Sequence, residues 1–480
     1  MSIGCLLLPV VAVADEIDRF PVKPTEQQYQ EAVQQFETLG FRPSREEKTL
    51  FVSKPDVTDT QLAMVPNLPF SFGLALAAVP VTDAGVKSLS SLDNLTTLNL
   101  HYTKFTAERS CGFEYLTSLL ELGLVGSPVT DQGLGEVAKL QNLRLLDLQK
   151  TNVKGPGLEN LSALSRLSTL ELDLTDSMFA PLRRAGLLHT LSYAEGAHSS
   201  TAARDEDIQI LNLNGFYGIQ ISDAAIVELA FLPKLSTLTL VGSDITDAGI
   251  ISLSRCNELT TLSLEQTHVT DLGLLELAKV PKLAALTLDQ TAVTDDGLPK
   301  LELIRNLTSL DLSRTAVTDV GIRKLSRLSR LTELRVGWTA VTLEGVLELA
   351  QLQSLTTLVL SGTKVTDIGL KQVALLRNLT TLDLIRCEIS NAGLKELNSL
   401  GKLETLYLNG TQITDDGLNE LRQLPKLSTL NLSATSVSDV GLQELAHLQH
   451  LKTLILFGTP VTTAGIETFR TALPGCEIFR

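Results

Sequence analysis

Leucine recurs at a fixed spacing through most of the chain. The unit opened by Leu235 repeats at Leu259, Leu283, Leu307, Leu331, Leu355, Leu379, Leu403, Leu427 and Leu451, each 24 residues after the last. The same 24-residue spacing holds upstream at Leu95, Leu119, Leu143 and Leu167, and weaker copies carry Val57 to Asp59 and Val81 to Asp83. This gives about 17 copies, and a strict period of that length means stacked supersecondary units that bury their apolar faces against one another.

Inside one unit the polarity pattern changes from strand-like to helix-like. Leu310 and Leu312 alternate with Ser309 and Asp311, which predicts a short strand with leucines inward and polar side chains outward. Stacked copies of this strand make a parallel sheet. The place of Thr315 is taken by Thr103, Ser127, Thr151, Thr267, Thr291, Thr339, Thr363, Cys387, Thr411, Thr435 and Thr459, and a hydroxyl there can bond turn backbone groups that the interior would leave unpaired. Thr270-Asp271, Thr294-Asp295 and Thr414-Asp415 are placed to cap a short helix and complement its dipole. Leu298, Leu301 and Ile304 then return the chain along the apolar side. A single unit cannot offset an ordering entropy of about 1.5 kcal/mol per residue, so stability must come from neighbouring copies.

The unit from Leu307, with Leu310, Leu312, Thr315, Val317, Asp319, Gly321 and Ile322, follows the leucine-rich repeat template with Thr where Asn usually stands. Units such as Leu355 to Gly369 (LTTLVLSGTKVTDIG) resemble the repeats of exported bacterial, planctomycete-type leucine-rich repeat proteins, and the ending Ala472 to Ile478 is similar to the closing segment of that group. From about Lys48 onward the resemblance implies an α/β solenoid, a leucine-rich repeat horseshoe with a parallel concave β-sheet and short helices on the convex side. It implies a non-enzymatic protein-interaction scaffold that binds a protein partner on its concave face. A more distant similarity to the repeat regions of F-box and GALA-type proteins implies a ubiquitin-ligase substrate adaptor instead, although no F-box motif is legible ahead of the repeats. A structural envelope protein is the third reading.

Six segments follow from these patterns. Residues 1–14 read as a truncated signal peptide: Ile3 to Val13 is an apolar run ending in Ala12-Val13-Ala14 before Asp15-Glu16, without a basic n-region. Export to the periplasm, envelope or exterior is the expectation, with a cytoplasmic location as the alternative. Residues 15–46 form an N-terminal helical cap, its helix spanning about Thr25 to Leu39 with Tyr29, Ala32, Val33, Phe36 and Leu39 on one face. The repeats occupy 47–187 and 208–472, and residues 473–480 close the far end. Between the two blocks the phase breaks, and the polar stretch Ala194 to Asp207 is either a worn repeat or a protruding recognition loop. No later stretch is long and apolar enough for a transmembrane segment.

Composition changes the picture in two respects. Aromatics are only 4% of the chain, so the core is aliphatic. Acidic residues outnumber basic ones by 55 to 40, a formal charge of -15, and no basic cluster offsets this, so nucleic acid is not an expected partner.

Chemistry-bearing patterns are sparse. There is no HExxH, Walker loop, dinucleotide fingerprint or paired CxxC, and neither a catalytic site nor a cofactor is expected. His268 reads as a solvent-facing turn residue. The column Asp247, Asp271, Asp295 and Asp319 has a spacing of about 5 Å that could suit calcium, but helix capping explains it without metal. Cys111, Cys256, Cys387 and Cys476 lie too many repeats apart for a disulfide, the nearest pair being separated by roughly 15 Å or more. Most exposed strand positions are Thr, Ser, Gly or Asn. The exception is Asp311, Arg314, Arg335, Trp338, Asp383, Arg386 and Tyr407, where the chain's one Trp among arginines has the composition of an interface hot spot. The alternative is an ordinary surface on which an Arg stacks on Trp338 and pairs with Asp.

Overall fold

The computed structural model describes residues 24–46, 49–54, 56–196, 200–215, 219 and 221–480, and the apolar run of residues 3–13 lies outside them. The chain divides into two compact units. The first comprises Met1–Asp173 and Ser177–Ser192, the second Leu174–Asp176 and Tyr193–Arg480.

The first unit is built on a seven-stranded sheet. Its repeat strands Phe72–Ala75, Leu95–Asn99, Glu121–Gly123, Leu145–Asp147 and Thr169–Glu171 are parallel, with Leu98, Leu122, Leu146 and Leu170 aligned and fully buried. The opening helix Glu26–Thr38 starts at a capping box in which Thr25 and Gln28 bond each other's backbone. Tyr29, Ala32 and Phe36 are buried, and the Phe36 ring packs 5.7 Å from Phe41 and 6.1 Å from Phe72. The sequence pattern gives this helix but not the hairpin after it. Arg42–Glu46 pairs antiparallel with Thr49–Ser53, so a polar strand covers the edge of the sheet. An edge of this composition discourages pairing with another chain.

The second unit carries a thirteen-stranded sheet. Eleven strands from Thr237–Thr239 to Glu477–Phe479, together with Ile210–Asn212 before them, run parallel and in register. Wherever repeats are regular the strand is three residues long, as in Ser309–Asp311, Glu333–Arg335 and Thr381–Asp383. Leu310, Leu334, Leu358 and Leu382 form a continuous aligned row with no exposure. Each contributes about 2 kcal/mol of apolar burial, and because the row belongs to all repeats, no one strand can hold it alone. The polar stretch after Tyr193 gives an edge strand: Ala194–Glu195 pairs antiparallel with Ile210 and Leu211, and Gly196 N–H donates to Ser200 at 2.6 Å.

Short helices return the chain on the other side of this sheet, among them Asp247–Ser252, Asp271–Leu277, Asp319–Leu325 and Asp439–Leu445. Thr246, Thr270, Thr318 and Ser438 cap them by accepting the N–H two residues on. The unit ends with the helix Thr463–Ala472 and the edge strand Glu477–Phe479, with Leu473 and Cys476 buried between them.

Candidate binding face

Two internal ladders decide which side chains remain for function. In the first, the turn hydroxyls point back into their own repeat: Thr267, Thr291, Thr315, Thr339 and Thr363 each donate to the leucine or valine carbonyl three residues earlier, at 2.5 to 2.7 Å. In the second, each helix-start carboxylate reaches the following repeat. Asp247 accepts from the Thr270 N–H at 2.8 Å and the Thr270 hydroxyl at 2.6 Å, and Asp271, Asp295 and Asp319 treat Thr294, Thr318 and Thr342 the same way. The threonine caps the helix and the aspartate staples it to the next threonine, which corrects the expectation that both residues serve their own helix. A Cβ on Gly321 would sit 2.3 Å from Asp295 Oδ1, so the Asp column requires the glycine column beside it. Carboxylates bound in this way are not presented to a calcium ion.

Of the chain's five cysteines, the four among the described residues, Cys111, Cys256, Cys387 and Cys476, are buried and free. Burial pushes the Cys111 thiol up to about 12 and the other three up to about 11, so they are structural thiols. Cys387 stands in the hydroxyl ladder and donates to the Leu360 carbonyl at 3.1 Å. His268 is exposed, with Asp244 3.6 Å away.

Beyond the ladders remain the outer face of the strands and a row of turn residues next to it. That row has left-handed backbone: Gln266, Gln290, Arg314, Trp338 and Arg386 have φ of 54° to 57°, and Gly242, Gly362, Gly410 and Gly458 fill the same place in other repeats. Within the row, Trp338 leans toward the next repeat. Trp338 lies across Gly362, where a Cβ would come within 2.4 Å of the indole, and the Arg386 guanidinium stands 5.7 Å from the Trp338 ring. Trp338 remains 48% exposed.

The sequence pattern places Arg314 beside Trp338, but the structure turns it the other way. Arg314 donates through Nε to Asp289 Oδ1 at 2.8 Å and through Nη2 to Asp289 Oδ2, with Glu265 a further 3.5 Å contact. Asp289 is 5% exposed, so Arg314 balances a buried charge. Burial and the neighbouring Asp289 raise the Glu265 carboxyl, and the hydrogen bond to Asp289 raises the Arg314 guanidinium.

The remaining candidates follow the strand register. Arg335 lies between Asp311 and Val359, pairs with Glu333 at 2.6 Å, and is exposed. Asp311 and Asp383 each spend one oxygen on a turn N–H, from Ser313 at 2.8 Å and Ile385 at 2.9 Å. Burial raises both carboxyls, and the positive charge of Arg335 partly offsets this. Tyr407 aligns with Asp383 and Asn431 and is half-buried. The structure therefore joins Trp338 to Arg386, sets Arg335 against Asp311 and Tyr407 against Asp383, and removes Arg314 into a separate cluster.

The first unit repeats the turn-row arrangement. Tyr102, with φ of 55°, lies across Gly126, and the Lys150 ammonium is 3.5 Å from the Tyr102 hydroxyl. These positions correspond to Trp338, Gly362 and Arg386. Sequence reasoning missed this pairing, although the alternation of large residues and glycine in one column is its visible signal.

A family profile described as "Leucine Rich repeat" matches residues 304–326, 351–374, 376–397 and 402–421. No curated protein matches the chain. Among solved structures, a leucine-rich repeat protein of Leptospira interrogans is 21% identical over 88% of this chain and 92% of its own, with a TM-score of 0.42. An internalin of Listeria monocytogenes is 20% identical over 88% of this chain and 94% of its own, with a TM-score of 0.32. TLR13, in complex with ssRNA13, is 16% identical over 91% of this chain and 70% of its own, and its TM-score of 0.51 makes it a fold neighbour. The matched repeats lie in the second unit, the same 24-residue spacing recurs in the first, and the chain has the leucine-rich repeat solenoid fold.

Proposed function

We propose that this chain is a non-catalytic scaffold that seats a protein partner on the sheet face of its second unit, with Trp338 and Arg386 as the anchor. The observation that carries this reading is the exposed indole lying against Gly362 with a guanidinium over its ring. Its pose is fixed by backbone and glycine, so little side-chain entropy is lost when a partner covers it. Among the described residues Arg386 has no carboxylate partner, whereas Arg314 and Arg335 are both paired. Arg335, Asp311, Asp383 and Tyr407 supply a polar surround. The apolar segment at residues 3–13 supports export, and the envelope or exterior is the compartment in which we place the binding event.

The test is a cross-linked pull-down from the native host with wild type beside a Trp338→Ala, Arg386→Ala double variant, the mature N-terminus of the bait being read by mass spectrometry. A protein retained by the wild type and lost by the variant supports the reading. Equal recovery by both contradicts it, and recovery of ubiquitin-ligase components would favour the adaptor role.

A further inference from the structure

The first unit holds a cluster of carboxylates that, among the described residues, no cation serves. Asp147 is 1% exposed, gives Oδ1 to the Gln149 N–H at 3.0 Å, and has no partner for Oδ2. His101 is 9% exposed, and its Nε2 is likewise unpartnered. That nitrogen lies 2.3 Å from where a Cβ would stand on Gly123, the residue in register with Asp147 on the adjacent strand. On the other side Asp147 is in register with Glu171, which accepts from the Ser192 hydroxyl at 3.2 Å. Glu121, on the Gly123 strand, accepts from Thr97 at 3.2 Å.

Three carboxylates thus stand on three successive strands, and among the described residues none of them has an ion-pair partner. The nearby Lys150 ammonium is directed to the Tyr102 hydroxyl, while the Lys150 N–H takes Asp173. Burial pushes the Asp147 carboxyl up to about 6, with Glu171 and Asp173 adding to the effect, and burial also raises Glu121 and Glu171. Burial lowers His101, which favours the neutral ring, and its Nε2 accepts in the tautomer that carries the proton on Nδ1. A buried carboxylate oxygen and a buried imidazole nitrogen, both without a partner, are costly in isolation. A ligand with several N–H donors and a positive charge removes both deficits together.

We propose that the sheet face around Asp147, bounded by His101, Glu121 and Glu171, receives the lysine or arginine side chains of a basic polypeptide segment. Metal is a poorer occupant, because no group of three or more His, Cys, Asp or Glu among the described residues is arranged to hold one. The three strands span about 10 Å, so one ammonium cannot serve every carboxylate, and a segment with two or more basic side chains complements the row. This site is in the other unit from Trp338 and does not depend on the Trp338–Arg386 anchor.

Fluorescence anisotropy with a labelled hexalysine peptide tests the inference on the full chain at neutral pH and moderate salt. Removing two charges with Asp147→Asn and Glu171→Gln is expected to weaken binding about tenfold. A control of equal charge change, Asp296→Asn with Asp416→Asn on exposed helix starts of the second unit, is expected to weaken it less than about twofold. Equal weakening by the two pairs would show diffuse attraction to a chain of net charge -15 and overturn the site. No binding by the wild type would overturn it as well. Thermal melting checks that the variants fold; should the pair fail, Glu171→Gln alone must still weaken binding several-fold or the inference is rejected.

Discussion

Asp295 accepts two hydrogen bonds from Thr318, from the backbone N–H at 2.8 Å and from the hydroxyl at 2.6 Å, across 23 residues of sequence. The bond joins one repeat's helix start to the next. Asp295→Ala strands both donors and is expected to cost about 1 to 3 kcal/mol in urea unfolding. Asp295→Asn should cost less, because Asn391 already holds Thr414 in the same place: it accepts from the Thr414 N–H at 3.0 Å and, with the second bond reversed, donates through Nδ2 to the Thr414 hydroxyl at 2.7 Å. Equal losses for the two variants would contradict the staple. Adding calcium should leave the wild-type melting midpoint unchanged.

Gly321→Ala places a methyl group 2.3 Å from Asp295 Oδ1 and 2.7 Å from Leu298. We expect a destabilisation of about 1 to 3 kcal/mol. In an Asp295→Ala background the added cost should fall, since the carboxylate no longer occupies that space. A double-mutant cycle of thermal midpoints measures the difference, and strict additivity would refute the steric account.

Asp147 gives stability a defined pH dependence. Its folded-state value of about 6 lies above the ordinary 3.8, so the folded protein holds the proton more tightly than the unfolded chain. Its contribution therefore favours folding at low pH and is lost as pH rises through about 4 to 6. Asp147→Asn should stabilise the protein relative to wild type by on the order of 2 kcal/mol at pH 7.5 and by much less at pH 4. Melting at the two pH values provides the comparison.

Arg314 neutralises Asp289 and Glu265. Replacing it with Met leaves two carboxylates facing each other, one of them buried, and removes the positive charge that lowers the Glu265 carboxyl. The loss in stability at pH 7.5 should shrink as pH falls and the raised Glu265 carboxyl takes up its proton. A pH-independent loss would point to packing alone.

The buried thiols are expected to resist modification in the native protein. With Cys111 raised to about 12 and Cys256, Cys387 and Cys476 to about 11, thiolate is scarce at pH 8 and access is blocked. Titration with a disulfide reagent should show these four react only after denaturation, without prior reduction.

The fold was legible because its determinants lie in columns: Leu310, Leu334 and Leu358 share one phase, and phase alone places them on one face of one sheet. The staple was not legible, because a column of aspartates shows position and not partner, and Asp295 finds its partner on the next turn of the solenoid. The hairpin Arg42–Ser53 carries no repeat signal, and a boundary at residue 46 divides it between the helical cap and the first repeat block. For the binding face, the residues were readable but their pairing was not. Arg314 and Arg386 occupy the same column beside Trp338, and only the absence of a side chain at Gly362 lets Trp338 lean toward Arg386, while the carboxylate of Asp289 holds Arg314 away.

The central claim is that Trp338 and Arg386 act as one anchor for a partner. The direct measurement is the affinity of the recovered partner for wild type, Trp338→Ala, Arg386→Ala and the double variant by calorimetry. Each single substitution is predicted to weaken binding about tenfold or more, and the double variant by less than the product, because each residue holds the other in place. Affinities unchanged across all four proteins, with melting midpoints showing each to be folded, would contradict the account.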